Sequence, residues 1–432
     1  MKYLFVACLL CLSVLSAVAK VPAMNKIRLT NNWEYLKGDL GGIWEAVRPA
    51  APGSSEAVPI WQPVTLPHCF NAEDAVDPDV NYYEGPGWYK TLLAIDNPYR
   101  NGRIVLDFDG AGQKTDVYVY TTHVGSHVGG YDSWNVDITD AVKAFLGSKD
   151  AERFKGKVPL SIRCDNSRDL EMIPSDLADF NIYGGLYRYL NLVYLPEVSF
   201  EQIGLESSLS SNLKEGILKV KTSFYNPEDI RKADVTVSVY DVDRKPVFSK
   251  TLEGILPLGD QLLAEMKIKN PVLWDVDVPQ LYTCELTVKT PDQTFTTEER
   301  FGFRHTEFKD KGPFFLNGKR LLLRGTHRHE DHAGVAQAMT EDMMRREMRM
   351  MKDMGVNFIR LGHYQQSEII LDLCDELGIL VWEEIPWCRG GLGGDVYKKQ
   401  ARRMLANMIV QHHNHPAVII WGLGNENDWP ND

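Results

Sequence analysis

After Gly312 the sequence changes rhythm. Short apolar runs at 320–325, 358–361, 379–382 and 417–421 alternate with stretches at 340–354, 367–377 and 396–412 whose apolar residues recur at helical spacing. Thr340 stands where an N-cap would. Strand and helix in strict alternation predict parallel strands wound in one direction, as at the start of a (β/α)8 barrel. Few other arrangements bury apolar runs of this kind on both faces. In such barrels the carboxyl ends of the strands face the active site. The polar residues cluster there: Thr326-His327-Arg328-His329-Glu330-Asp331-His332 after the first run, Gly362-His363-Tyr364 after the second, Glu383-Glu384 after the third, and Gly424-Asn425-Glu426-Asn427-Asp428 after the fourth.

Upstream the period is that of strands. Residues 20–196 carry short alternating segments such as Asp116-Val117-Tyr118-Val119-Tyr120, which predict an antiparallel β-sandwich of jelly-roll type. Residues 197–307 continue without helical spacing and predict a smaller, immunoglobulin-like sandwich serving as spacer and docking surface. The barrel then occupies 308–432, with about four βα units. Three domains suit a chain of 432 residues, which exceeds what one core usually serves.

A net charge of −12 without a run of Lys or Arg argues against nucleic acid or an anionic membrane as partner and favours a neutral ligand. Residues 1–19 have the layout of a cleavable secretory signal, with an apolar stretch shorter than the roughly 20 residues of a spanning helix. Export to the periplasm or medium is the expectation. Cys69, Cys164, Cys284, Cys374 and Cys388 remain beyond the signal, odd in number and scattered, so buried thiols are expected rather than a disulfide framework.

Three segments make the chemistry specific. Asn414-His415-Pro416-Ala417-Val418-Ile419-Ile420-Trp421-Gly422-Leu423-Gly424-Asn425-Glu426 resembles the acid/base segment of glycoside hydrolase family 2, the family of β-galactosidases, β-glucuronidases and β-mannosidases. Residues 324–330 and 357–364 resemble two further segments of that family, as do Leu66-Pro67-His68, Gly87-Trp88-Tyr89 and Asp116-Val117-Tyr118-Val119 in the first sandwich. The resemblance covers nearly the whole mature chain in order.

It implies a retaining exo-β-glycosidase in which Glu426 is the general acid/base, with a pKa raised by burial and a neighbouring carboxylate. Asn425 would bond the sugar beside the scissile linkage, His363 and His329 would line the pocket, and Arg360 would hold a carboxylate or hydroxyl. Glu384 would meet substrate or pair with Arg324 or Arg360. Asp165 and Asn166 would contact substrate from the sandwich, or form an Asx turn that holds their loop. Gln365 stands where the family usually has Pro. The implied nucleophile, roughly 5 Å from the acid/base, has no match and is placed beyond Asp432, so the isolated chain is expected to be inactive.

No cofactor is expected. His327, His329, Glu330 and His332 invite a metal reading, but they lie on one loop. Some β-galactosidases of the family bind a divalent ion through Glu-x-His after the third strand, where this chain has Glu384-Ile385-Pro386-Trp387. The expected partner is a β-linked oligo- or polysaccharide, with self-association left open. Arg328-His329-Glu330 and Leu423-Gly424-Asn425-Glu426 put β-galactosidase first, then β-glucuronidase or β-mannosidase. A carbohydrate-binding protein with a degenerate barrel is the non-catalytic alternative, and a metal-dependent hydrolase the other.

Overall fold

A computed structural model describes residues 26–49, 59–175, 177–227, 232–389 and 393–427. The secretory signal expected at 1–19 lies outside them. The architecture matches the expected class, two β-sandwiches followed by the opening strands of a parallel barrel.

The first sandwich packs a six-stranded sheet on a four-stranded one. Alternation decides which side chains enter: Thr115, Val117 and Val119 of Lys114–Val119 are buried while their neighbours are not. Phe108 and Trp134 stack at 4.1 Å between centroids on the second sheet. The Asp137 carboxylate accepts from the Thr139 N–H (2.9 Å) and opens the helix Thr139–Leu146. That helix buries Val142 and Phe145 against the core.

The second sandwich sets three strands against four. Ala233, Val235, Val237 and Val239 form the inward row of Ala233–Tyr240 and meet Leu218, Val220 and Leu286. Val105, Val193 and Leu195 of the first sandwich join this same core, so the two sandwiches share an apolar seam.

A small three-stranded sheet, Thr306–Phe308, Phe314–Leu316 and Lys319–Leu321, leads into the barrel. Four parallel strands follow in sequence order: Gly325–Arg328, Phe358–Leu361, Leu380–Glu384 and Val418–Gly422. Helices Glu341–Asp353, Glu368–Leu377 and Asp395–His412 cross between them. Met344, Met348, Ile370, Leu371 and Cys374 cover Ile359, Leu361, Leu380 and Val381. Thr340 caps the first helix by accepting from the Met343 N–H. The five described cysteines are free and buried.

One strand differs from expectation. The buried run expected at 320–325 is divided: Lys319–Leu321 belongs to the small antiparallel sheet, Leu322 is 70% exposed, and the first barrel strand is Gly325–Arg328. Asn357 stabilises the crossing between the two, accepting from the Arg324 N–H (2.7 Å) and donating to the Leu322 carbonyl (3.0 Å). His327 and Arg328 are therefore on the strand rather than after it.

Buried polar contacts lock the domains together. Asn414 accepts from the Leu205 N–H (2.8 Å) and donates to the Ile203 carbonyl (2.9 Å), tying the second sandwich to the barrel. The wholly buried Trp274 donates to the Asp375 carbonyl. Arg188 from the first sandwich pairs with Glu330 at 2.7 Å, both nearly free of solvent.

Candidate active site

The period of two in the barrel strands selects the inward residues. On Phe358–Leu361, Ile359 and Leu361 face the helices, and Arg360 faces the interior of the barrel. On Leu380–Glu384, Trp382 lies beside Arg360, whose guanidinium carbon is 4.8 Å from the indole centroid. Two residues on from Trp382, Glu384 points to the same side. Glu383 points the other way, to His412 Nδ1 (2.8 Å) and the Gln366 N–H (3.3 Å).

Glu384 is the buried hub of the site. Its Oε2 accepts from Arg360 Nε (3.1 Å) and Nη2 (2.9 Å), and its Oε1 meets Arg360 Nη2 (2.8 Å) and His363 Nδ1 (2.7 Å). Arg360 Nη2 also donates to Asn425 Oδ1 at 2.9 Å. Three consecutive strands thus bring Arg360, His363, Glu384 and Asn425 together. Of the two roles expected for Glu384, the structure gives it the charge pair with Arg360. Its side chain has no exposed surface, and both oxygens are engaged. Arg360 commits its Nε and Nη2 to protein partners and keeps a side chain that is 25% exposed.

His329 and His327 complete the wall. The rings of His327, His329 and His363 lie 4.8–5.3 Å apart. Burial, with the adjacent His327 and His363, lowers the His329 pKa to about 4, so its ring is neutral near neutral pH. Burial, His363 and Arg360 lower His327 as well. Tyr364 stacks on Tyr131 of the sandwich at 4.2 Å, and its hydroxyl accepts from the Glu330 N–H. Gln365 is buried and bonds Gln411 at 2.7 Å.

Glu426 follows Asn425 at φ 52°, and its carboxylate pairs with Arg389 Nε at 2.5 Å. Its side chain is 51% exposed. The burial and neighbouring carboxylate expected for it are not what surrounds it: an arginine is its partner, because the left-handed backbone turns it out of line with the strand. Asn425 is fixed from both sides, its backbone N–H donating to Trp387 O (2.8 Å) and its carbonyl accepting from the Arg389 N–H (3.0 Å).

Of the two roles expected for Asp165 and Asn166, the structure shows the one that holds their loop. Asp165 accepts from the Ser167 N–H (2.8 Å) and pairs with Arg163 (2.8 Å), an Asx turn. Asn166 is spent on the Gly85 N–H and the Tyr83 and Ile182 carbonyls. The sandwich reaches the site farther along the same loop, through residues the sequence did not single out. Asp179 meets Cys388 Sγ (3.3 Å) and Arg389 Nη2 (3.3 Å), and Phe180 packs within 5.8 Å of His329 and 6.2 Å of His363. Burial pushes the Asp179 pKa up, but Cys388 and Arg389 more than offset it and hold the group low. Burial raises the Cys388 thiol to about 11, so it is protonated. Earlier in the loop, Glu171 caps helix Asp395–His412 by accepting from the Gly394 (2.7 Å) and Tyr397 (3.0 Å) N–H groups.

Arg328 and Glu330, part of the motif that placed β-galactosidase first, are buried away from the pocket. Arg328 bonds Gln366 and Glu347, and Glu330 bonds Arg188 and the Ser367 N–H. Only His329 of that triplet looks into the site, so the motif reports packing more than sugar preference.

Comparison with known proteins agrees with this geometry. Residues 40–196 match the sugar binding domain of glycosyl hydrolases family 2, residues 198–304 match the model described as glycosyl hydrolases family 2, and residues 307–432 match its TIM barrel domain. The crystal structure of Parabacteroides merdae beta-glucuronidase with glycerol in its active site is 99% identical, with a TM-score of 0.94 over 96% of this chain and 53% of that one. A Bacteroides fragilis beta-glucuronidase is 32% identical over 84% of this chain and 53% of its own length. A Thermoanaerobacter pseudethanolicus beta-galactosidase is 28% identical over 91% and 50%. The chain spans about half the length of the curated relatives it matches. With all three domains matched in order and the inward-facing residues gathered at the strand ends, the chain belongs to glycoside hydrolase family 2.

Proposed function

We propose that the protein is an exported retaining exo-β-glycosidase acting on terminal β-glucuronides of oligo- or polysaccharides. The observation that carries the glycosidase reading is the constellation at the strand ends, where buried Glu384 fixes Arg360 and His363, and Arg360 in turn holds Asn425 beside Glu426. Preference for glucuronides over galactosides is supported by the relatives: both the 99% identical structure and the 32% identical protein carry that name, against 28% for the β-galactosidase.

In this reading Glu426 protonates the departing glycosidic oxygen and then activates water. Asn425, held by Arg360, bonds the sugar next to the scissile linkage. His329, neutral, and His363 offer ring nitrogens to its hydroxyls. Arg389 holds the Glu426 carboxylate until a sugar displaces the pair. The nucleophile is assigned to no residue of this chain.

The test is hydrolysis of nitrophenyl β-glucuronide, β-galactoside and β-mannoside by the full-length protein. The glucuronide should have the highest kcat/KM; preference for the galactoside overturns the assignment. Export is checked by fractionating cells, with loss of residues 1–19 from the exported form as the expected result.

A further inference from the structure

We propose that His327, His329 and His363 form a binding site for one divalent transition-metal ion of imidazole-preferring chemistry, zinc above all. One potential ligand atom of each ring lies within 4.8 Å of the others. The centroids are separated by 5.0, 4.8 and 5.3 Å. Three imidazoles bound tetrahedrally at 2.0–2.1 Å place their centroids roughly 5.2 Å apart. The rings are already at that spacing. They are also inclined to one another by 45°, 70° and 79°, as rings radiating from a common point are, rather than stacked. Bringing the nitrogens to bonding distance takes ring rotation, not backbone movement.

The surroundings have the form of a metal site. His363 gives Nδ1 to Glu384 at 2.7 Å, leaving Nε2 as its ligand atom, and Glu384 is itself anchored by Arg360. A carboxylate behind a ligating histidine fixes the ring and raises its basicity. The three histidines stand on two hydrogen-bonded strands or directly after them, with His327 opposite Arg360 in the ladder. Gly362 admits the His327 ring, since a Cβ there would lie 1.8 Å from Nε2. His327 is exposed, so the fourth position is open to water or a ligand oxygen. Three imidazole ligands suit zinc, cobalt, nickel or copper, and not magnesium or calcium. The sequence grouped His327 and His329 with Glu330 and His332 instead, because His363 comes from a different strand.

The ion would occupy the space assigned above to the sugar hydroxyls. That overlap rests on the glycosidase reading, whereas the metal site itself does not.

The experiment is titration of the metal-free full-length protein with zinc chloride by calorimetry, and with cobalt chloride while recording the visible d–d band of a four-coordinate ion. One ion per chain is expected. His327→Ala and His329→Ala should each weaken binding more than tenfold, and Glu384→Gln roughly 10–100-fold, with circular dichroism showing the variants folded. Cys388→Ser should bind as tightly as the parent. The same ligand-distance criterion is met by Asp179, His363 and Cys388. Loss of binding in Cys388→Ser with His327→Ala unaffected would move the ion to that group and overturn the proposal, as would absence of zinc binding. A protein that binds zinc as described but, before zinc is added, cleaves no aryl β-glycoside keeps the metal site and removes the glycosidase reading.

Discussion

The Arg360 guanidinium and the Glu384 carboxylate meet through three contacts of 2.8–3.1 Å across adjacent barrel strands, with Glu384 wholly enclosed. This pair decides where His363 and Asn425 point, since each bonds one of its members. Removing one partner of a buried pair leaves an uncompensated charge, at a cost of about 3–5 kcal/mol. Arg360 keeps an exposed edge, so Glu384→Ala is expected near the lower end of that range. Urea unfolding checks it. The double variant Arg360→Met/Glu384→Met should be less destabilised than Glu384→Ala alone, and equal losses would deny the pair its role.

Asn414 ties the barrel to the second sandwich through a buried side chain. Asn414→Ala strands the Leu205 N–H and the Ile203 carbonyl. A loss of about 1–3 kcal/mol is expected. Limited proteolysis should then cut between residues 302 and 312 first, and an unchanged cleavage pattern would show that Asn414 does not govern docking.

Asp132 links the first sandwich to helix Asp395–His412, through Asn407 (2.6 Å) and Arg403 (3.6 Å), and bonds His127 (2.9 Å). Burial raises its pKa, yet His127, Arg403 and Asn407 together draw it below the ordinary value. A folded-state pKa below the unfolded one gives stability that is present above about pH 4 and is lost as pH falls through the folded value. Asp132→Asn lacks this contribution. The difference in urea midpoint between parent and variant should therefore shrink from pH 6 to pH 3, and a constant difference would show that the carboxylate charge is immaterial.

Two substitutions separate chemistry from scaffolding in the full-length protein. Glu426→Gln should lower kcat by about 10²–10⁴-fold with little change in stability, as expected for a general acid/base on an exposed turn. Asn166→Ala should do the reverse, costing about 1–3 kcal/mol of stability through its three lost bonds while leaving kcat/KM within a few-fold. A hundredfold loss of kcat/KM in Asn166→Ala would return that residue to the substrate.

How far the sequence could be read follows from which interactions are local. Alternation identified the parallel strands, and a period of two makes one of Glu383 and Glu384 face inward. Their partners, Arg360 and His412, depend on strand register and helix placement. The first barrel strand was displaced because Leu321-Leu322-Leu323 is apolar enough for a buried strand, while Asn357, distant in sequence, settles where the chain crosses between sheets. Asp165 and Asn166 drew attention to the correct loop but not its tip. Asp179 and Phe180 meet Cys388, Arg389 and His329 only after two domains dock, and no spacing within either segment foretells that. Arg328 and Glu330 carry a strong motif, yet their bonds to Glu347 and Arg188 are architectural.

The Glu171 cap has a consequence for biogenesis. The first turn of helix Asp395–His412 takes its acceptor from a loop more than two hundred residues nearer the amino terminus. Ribosomal synthesis delivers that loop first, and domains generally fold as units in the order they emerge. The early sandwich thus offers a waiting template on which the late helix can nucleate, so an injury to the loop should surface as failed maturation of the barrel rather than as an unstable sandwich.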